Sequence, residues 1–336
     1  MKNNFSRRNF LIATPLASLG YLLGRDALGA QGLSWLSKPN SKFGGVQIGT
    51  ITYSFRSILH DIDQLLQFCV NANVSAIEMM GDPAEDFAGK PKNPNPFRMG
   101  PPTTGPRPPL TEEQKAQMAD YSKKVAEWRA TVAMDKFEEI RKKYHAAGVK
   151  IYTFKPNALG SNNSDEEVEY ALKAAKALGA TSVTIELPTD PAQSKRLGDL
   201  GAKHKVYIGY HNHTQATDTL WDVALSQSPY NSMNLDCGHY IAAGGNNTKE
   251  TLLALIEAKH DRITSMHLKD RTTPANGAGN VVWGKGDTPI KEILLLMKAK
   301  KYKFPATAEL EYEVPAGSDA VKELAKCVDF AKNILS

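Results

Sequence analysis

KVYIGYHNHTQAT, Lys205 to Thr217, is the stretch that decides the fold. It opens as a short β-rich apolar run, Val206 to Ile208, and ends in two histidines spaced two apart, His211 and His213. On a strand, residues two apart share a face. Both imidazoles therefore leave the same side of a strand end. Taken alone, the stretch fits a metal site or the polar end of an ordinary strand.

Working outward, the same unit recurs. β-rich runs lie at 46–53 (VQIGTITY), 75–80 (SAIEMM), 149–154 (VKIYTF), 181–187 (TSVTIEL), 205–211 (KVYIGYH), 232–237 (SMNLDC), 263–268 (ITSMHL) and 306–312 (ATAELEY). Helical spacing fills the gaps, as in DIDQLLQFCVNA (61–72), KETLLALIEAKH (249–260), PIKEILLLMKAKK (289–301) and SDAVKELAKCVDFAKNIL (318–335). DEEVEYALKAAKALG starts after Asn163 and Ser164 and stops at Gly179, a helix start and stop signal. Eight strands alternating with about eight helices predict one α/β domain, a (β/α)8 TIM barrel over 44–336. A doubly wound open sheet is the alternative. It wants a glycine-rich loop after the first strand, where this chain has ITYSFRS.

One segment breaks the rhythm. GDPAEDFAGKPKNPNPFRMGPPTTGPRPP (81–109) is dense in proline and reads as an extended insertion after the second strand. It lies on the face where barrel active sites open, as a lid or as a plain insertion. A long helical stretch, 111–147, leads to the third strand.

The first 30 residues read as an export signal. Arg7 and Arg8 precede Phe10 and Leu11, in the manner of a twin-arginine signal. The apolar run Phe10–Leu23 is too short to span a bilayer and Arg25 ends it. Cleavage near Gly29 or Ala30 would leave a linker at 31–43, a periplasmic protein and no membrane segment. Lys2, Arg7, Arg8 and Arg25 stand against Asp26 in this segment, so its removal takes the net charge from +5 to +2. A nearly neutral chain has no electrostatic footprint for nucleic acid. The three cysteines, Cys69, Cys237 and Cys327, form no CxxC, and their odd count excludes a full disulfide framework.

Strand ends carry the chemistry. The fourth ends at Glu186, the fifth at His211 and His213, and the sixth at Asp236 with His239 three later. The seventh ends at His267, Lys269 and Asp270, the eighth at Glu309 and Glu311. Each alone is an ordinary turn or cap residue. Five in phase on one rim would cost several kcal/mol unless a cation compensates them. This mixed oxygen and imidazole set, without thiolate, suits one divalent metal, Mn²⁺, Mg²⁺, Co²⁺, Fe²⁺ or Zn²⁺.

GYHNH (209–213), NLDCGHY (234–240), HLKD (267–270), WGKGDTPIKEIL (283–294) and ELEYE (309–313) together resemble the sugar phosphate isomerase/epimerase group of the xylose-isomerase-like barrel superfamily. The resemblance covers roughly 44–335. It implies a metal held by Glu, Asp, His and Glu from successive strand ends, and Asp236, His267 and Glu309 match the last three. Relatives such as ketose 3-epimerases have Glu on the fifth strand. Here His211 stands there, and Glu186 is the carboxylate that can take the first place. The resemblance makes Glu186, Glu309, Glu311 and His213 the candidate catalytic groups, with Glu311 or His213 moving the proton. His211 and His239 would orient substrate hydroxyls. Lys155 and Lys269 would meet an oxyanion, or are solvated rim lysines. Asp270 would support His267.

The implied chemistry is proton abstraction next to a sugar carbonyl over a metal. Returning the proton gives epimerisation or isomerisation; expelling a β leaving group gives a lyase or dehydratase acting on 3-keto-glycosides. A non-catalytic carbohydrate-binding barrel is the third reading. GKGD (284–287) before a helix is a short glycine turn or a set of amides for phosphate. Export favours a non-phosphorylated sugar. Such barrels commonly form homodimers.

Overall fold

A computed structural model describes residues 38–58, 61–94 and 110–336. The expected export signal, residues 31–37 of the linker and the proline-rich residues 95–109 lie outside the described residues. The β-rich runs become β1 (Val46–Ile51), β2 (Ala76–Met80), β3 (Lys150–Lys155), β4 (Ser182–Glu186), β5 (Tyr207–His211), β6 (Asn231–Asp236), β7 (Ile263–Leu268) and β8 (Ala306–Ala308). Each pairs in parallel with its sequence neighbours, and β8 pairs with β1, so the sheet closes. This is a single (β/α)8 barrel.

The helices begin and end where local chemistry puts them. α1 (Ile62–Asn71) starts at Asp61, whose carboxylate takes the amides of Asp63 and Gln64. α2 is Gly81–Phe87, α3 Glu112–Thr131, α4 Asp135–Ala146 and α5 Asp165–Leu178. α5 has a Ser164/Glu167 capping box and stops at Gly179, which adopts φ +80°. α6 (Pro191–His204), α7 (Asp222–Gln227), α8 (Cys237–Ala243), α9 (Lys249–Lys259), α10 (Ile290–Lys300) and α11 (Ala320–Leu335) complete the outer layer. Their apolar faces and the outward residues of the strands form one core, in which Cys69, Cys237 and Cys327 are free and buried. No helix among the described residues is long and apolar enough to cross a membrane.

Three expectations change. The segment from 81 begins as a helix, α2, because Pro83 falls in its first turn, where no intrahelical amide is needed. The helical stretch 111–147 is two helices, broken between Thr131 and Asp135. The eighth strand ends at Ala308 instead of 312. Beyond it Glu309 still donates its amide to the Leu268 carbonyl, but Leu310 donates its own to Ser54 Oγ and its carbonyl accepts from Arg56.

α3 combines a small apolar contact, Trp128 edge-on to Tyr170, with a cluster of buried charge. Of its residues only Val125 and Arg129 are buried. Arg129 reaches Glu167 (2.8 Å) and the fully buried Glu85 of α2 (3.5 Å), while Lys90 and the Tyr170 hydroxyl bind Glu85 from other sides. Losing one partner of a buried pair costs about 3 kcal/mol or more. Arg129→Ala is therefore expected to raise hydrogen exchange in α3 well before the barrel strands respond. Unchanged α3 protection would show that this ion cluster does not hold the helix.

Candidate active site

Glu78, in the middle of β2, is a fully buried carboxylate beneath the barrel mouth. It lies mid-strand, where the pattern of polar strand ends does not point. Its only signal in the sequence is a lone acid inside the apolar run SAIEMM. Glu78 spans the barrel interior. Oε1 accepts from Thr184 Oγ1 of β4 (2.6 Å); Oε2 faces His267 Nε2 of β7 (2.8 Å) and Asn234 Nδ2 of β6 (3.3 Å). Burial disfavours its charge, but the His267 charge and hydrogen bond outweigh that and hold its pKa below the ordinary value.

Glu78 orients both buried histidines. Asn234 must turn its NH2 toward the carboxylate, which leaves Oδ1 facing His211 Nδ1 at 2.7 Å. His211 then carries its proton on Nδ1 and presents a bare Nε2. Burial, with the nearby His267 and Lys155 charges, keeps it neutral. His267 donates from Nε2 to Glu78 and from Nδ1 toward Glu309 Oε2 (3.1 Å). Burial opposes its charge, yet Glu309 and Glu78 raise its pKa to about 10.

Asp236 ends β6 and starts α8. Its Oδ1 accepts the His239 amide at 2.7 Å, which caps the helix and fixes the rotamer. Asn212, between the two histidines of HNH, points the other way and clamps the Asp236 amide and carbonyl (2.8 and 3.1 Å). The remaining oxygen, Oδ2, is buried and makes no directed hydrogen bond. Lys269 Nζ lies 3.0 Å from it, His211 Nε2 3.9 Å and His267 Nδ1 4.0 Å. Burial pushes the Asp236 carboxyl up; Lys269 opposes this and Glu309 adds to it.

Lys269 is a buried centre of charge, not a solvated rim lysine. Its ammonium meets Glu309 (2.8 Å) and Glu311 (2.6 Å) as well as Asp236. Burial alone would lower its pKa, but the three carboxylates raise it. Its approach needs Gly238, since a Cβ there would stand 2.5 Å from Lys269 Cγ and 2.6 Å from its carbonyl oxygen. Lys269 and His267 hold Glu309 well ionised against its burial.

The structure brings Asp236, His267, Glu309, Glu311, Lys269 and His211 together. It places Glu186 outside that group. Glu186 lies two residues above Thr184 on β4, beyond the buried layer, with its side chain 46% exposed. It pairs with Lys155 (3.0 Å) and His213 (3.4 Å) on the outer rim. His239 sits between the rim and the buried group, its ring 4.7 Å from that of His213 and 6.2 Å from that of His211. It is neutral, with a pKa near about 2, through burial and the charges of Lys269, His213 and Arg271. Asp270 does not support His267. Its carboxylate accepts the amides of Gly284, Lys285, Gly286 and Thr288 at 2.8 to 3.2 Å, which uses up the GKGD turn.

These residues can hold a metal. Asp236 Oδ2, His211 Nε2 and a His267 nitrogen form one convergent set, all within 4.8 Å. Tetrahedral ligands at ~2.1 Å from a metal stand about 3.4 Å apart, so the His211–Asp236 and His267–Asp236 separations of 3.9 and 4.0 Å would have to close by about half an ångström each. His267 backed by Glu78, and His211 backed by Asn234, have the outer partners that metal-bound histidines use. Lys269 already occupies Asp236 Oδ2 and Glu309 Oε2, and would have to turn away from them before a metal could use those oxygens. A second convergent set is His211, His213 and His239.

A family model described as a xylose isomerase-like TIM barrel matches residues 113–332, more than half of the chain, and the chain belongs to that family. Among solved structures, a sugar phosphate isomerase/epimerase from Parabacteroides distasonis is 16% identical with TM-score 0.57, over 87% of this chain and 96% of that one. The probable 3-DHS dehydratase AsbF from Bacillus anthracis is 15% identical with TM-score 0.56, over 84% and 98%. The IOLI protein, solved with a bound zinc atom, is 16% identical with TM-score 0.55, over 87% and 99%. At these identities the likeness is one of fold. A search of curated proteins gives no match.

Removing Lys269 leaves Asp236, Glu309 and Glu311 without their shared ammonium. Lys269→Met is expected to lower unfolding stability by ~3–5 kcal/mol in metal-free buffer, and Zn²⁺ or Mn²⁺ should recover more stability in the variant than in the unaltered chain. Urea titrations with and without metal check this. Equal effects of metal on both proteins would mean the three carboxylates do not share one cation position.

Proposed function

We propose that this member of the xylose isomerase-like family is a divalent-metal-dependent isomerase or epimerase of a non-phosphorylated sugar or keto-sugar. The observation that carries the reading is Asp236 Oδ2, a buried carboxylate oxygen with no directed hydrogen bond, paired with the Lys269 ammonium at 3.0 Å and facing His211 Nε2 and His267 Nδ1 at the mouth of the barrel. His211, Asp236, His267 and Glu309 would hold the metal, the last once Lys269 turns away. A divalent cation there supplies polarisation of a substrate carbonyl and stabilises negative charge developing on its oxygen.

The chain's own groups divide the remaining work. Glu311 is the most exposed carboxylate of the group around Lys269, 23% exposed and bonded to it, and it takes the proton next to the carbonyl. Lys269, released from Asp236, remains to balance its charge. His213 stands at the end of β5, three strands around the ring, and is 55% exposed. Groups on two walls suit removal of a proton from one face and its return to the other, which is epimerisation. Glu186 and Lys155 shape the rim and meet substrate hydroxyls. Loss of a β leaving group from the same carbanion would make the enzyme a lyase, and one assay separates the outcomes. Residues 1–30 are proposed as a twin-arginine export signal, so that the enzyme meets unphosphorylated sugars in the periplasm.

The test uses the full chain incubated with Mn²⁺, Co²⁺ or Zn²⁺. About one equivalent of metal should survive desalting and be lost in Asp236→Ala, by elemental analysis. With metal, NMR in D2O should show deuterium entering the carbon next to the carbonyl in a panel of ketoses and 3-keto-glycosides. Retention of no metal by the unaltered chain would end the metal-dependent reading. Bound metal without exchange on any sugar would favour a carbohydrate-binding barrel.

Glu78→Gln provides a separate check. It removes the charged partner of His267 and loosens the Asn234 link to His211. Metal affinity, measured by competition with a chromogenic chelator, is expected to fall ~10–100-fold. An unchanged affinity would place the metal away from these two histidines.

A further inference from the structure

The second convergent set, His211, His213 and His239, has the look of a three-imidazole metal site. Its hydrogen bonds say otherwise. We propose that Arg271 fixes the proton of His239 on Nε2, so that His239 is a neutral hydrogen-bond donor to a substrate oxygen and not a metal ligand. This deepens the enzymatic reading above and rests on it for the identity of the ligand.

Arg271 Nη1 lies 2.5 Å from His239 Nδ1. A guanidinium only donates. Nδ1 must therefore accept, and a neutral imidazole that accepts at Nδ1 carries its proton on Nε2. Metal-bound histidines have the reverse arrangement, in which the far nitrogen donates to a carboxylate, carbonyl or water. His211 meets that condition, since its Nδ1 faces Asn234 Oδ1. His239 faces a donor instead. Its Nε2 has no protein partner among the described residues, which leaves that N–H for a ligand.

The position of Arg271 is built. Residues Asp270–Arg271 pair antiparallel with Asn280–Val281. Arg271 donates its amide to Thr288 Oγ1 (3.0 Å), accepts the Asp287 amide (2.9 Å) and gives Nη2 to the Ala278 carbonyl (2.5 Å). Asp270 ties the same loop down through four amides. Gly238, one residue before His239, leaves room for the arginine stem, as a Cβ there would stand 3.2 Å from Arg271 Cγ. Arg271 is thus a positioning residue that acts through His239. The group it prepares is suited to an acceptor, such as a carbonyl oxygen or the negative oxygen formed from it.

The experiment is long-range ¹H–¹⁵N NMR of the full chain labelled at histidine nitrogens, with His239 assigned by the signal missing in His239→Gln. His239 is expected as the Nε2–H form, unchanged when one equivalent of Zn²⁺ is added. Arg271→Lys, which still only donates, keeps that form. Arg271→Glu, which places an acceptor at Nδ1, moves the proton there. An Nδ1–H form in the unaltered chain, loss of the Nε2 proton on adding Zn²⁺, or a proton indifferent to Arg271→Glu in a folded variant would each overturn the proposal. If Arg271→Glu does not fold, the unaltered chain and its response to Zn²⁺ decide alone. None of these readings uses turnover. A chain that exchanges no sugar proton but keeps the Nε2–H form would sink the enzymatic reading and leave this assignment standing.

Discussion

The two buried histidines at the barrel mouth are oriented from one buried carboxylate, Glu78, which is paired with His267. The paired residues come from β2 and β7, 189 residues apart, and meet across the interior at 2.8 Å. A lone charge in that position would be expelled or neutralised. As a pair they are retained, and the spare capacity of the carboxylate turns Asn234, which in turn sets the proton on His211. Barrel interiors are otherwise filled with apolar layers. Here a polar layer replaces one of them directly beneath the strand ends, and the residues above it inherit their directions.

In that layer and above it the charges are unequal. Glu78, Asp236, Glu309 and Glu311 are four carboxylates; His267 and Lys269 are two cations. Lys155 adds a third from the rim, where it is shared with Glu186. A shortfall of positive charge in a buried place is the usual reason for a cation to be drawn in, and the long stem of Lys269 lets its ammonium move aside without leaving Glu311. Lys269 itself screens these carboxylates from one another.

Much of this was legible in the sequence. The eight strands were, because each is a short β-rich run bounded by turn residues or a helical period. Asp236, His267, Glu309 and Lys269 were, because strand ends of a parallel barrel open on one rim and those residues end strands. Glu78 was not: it sits mid-strand, and its partners are 106 to 189 residues away. Glu186 and His211 are register neighbours on β4 and β5, so spacing could not tell which lies deeper. Burial settles it, with His211 3% exposed and Glu186 on the rim. α2 was hidden by a proline whose effect depends on its place in the helix, and Asp270 by a set of amides that a sequence does not point in any direction.

Those four amides have a further meaning. A turn of successive backbone N–H groups ahead of a helix is the structure many proteins use to grip an anion. In this chain the grip is closed on a carboxylate from two positions after Leu268, and a Cβ at Gly286 would fall 2.3 Å from that carboxylate's oxygen. The protein has in effect supplied its own anion. An incoming phosphate would find those donors taken and a negative charge already seated. These four amides are spent on the chain's own carboxylate, which ties the loop to the end of β7.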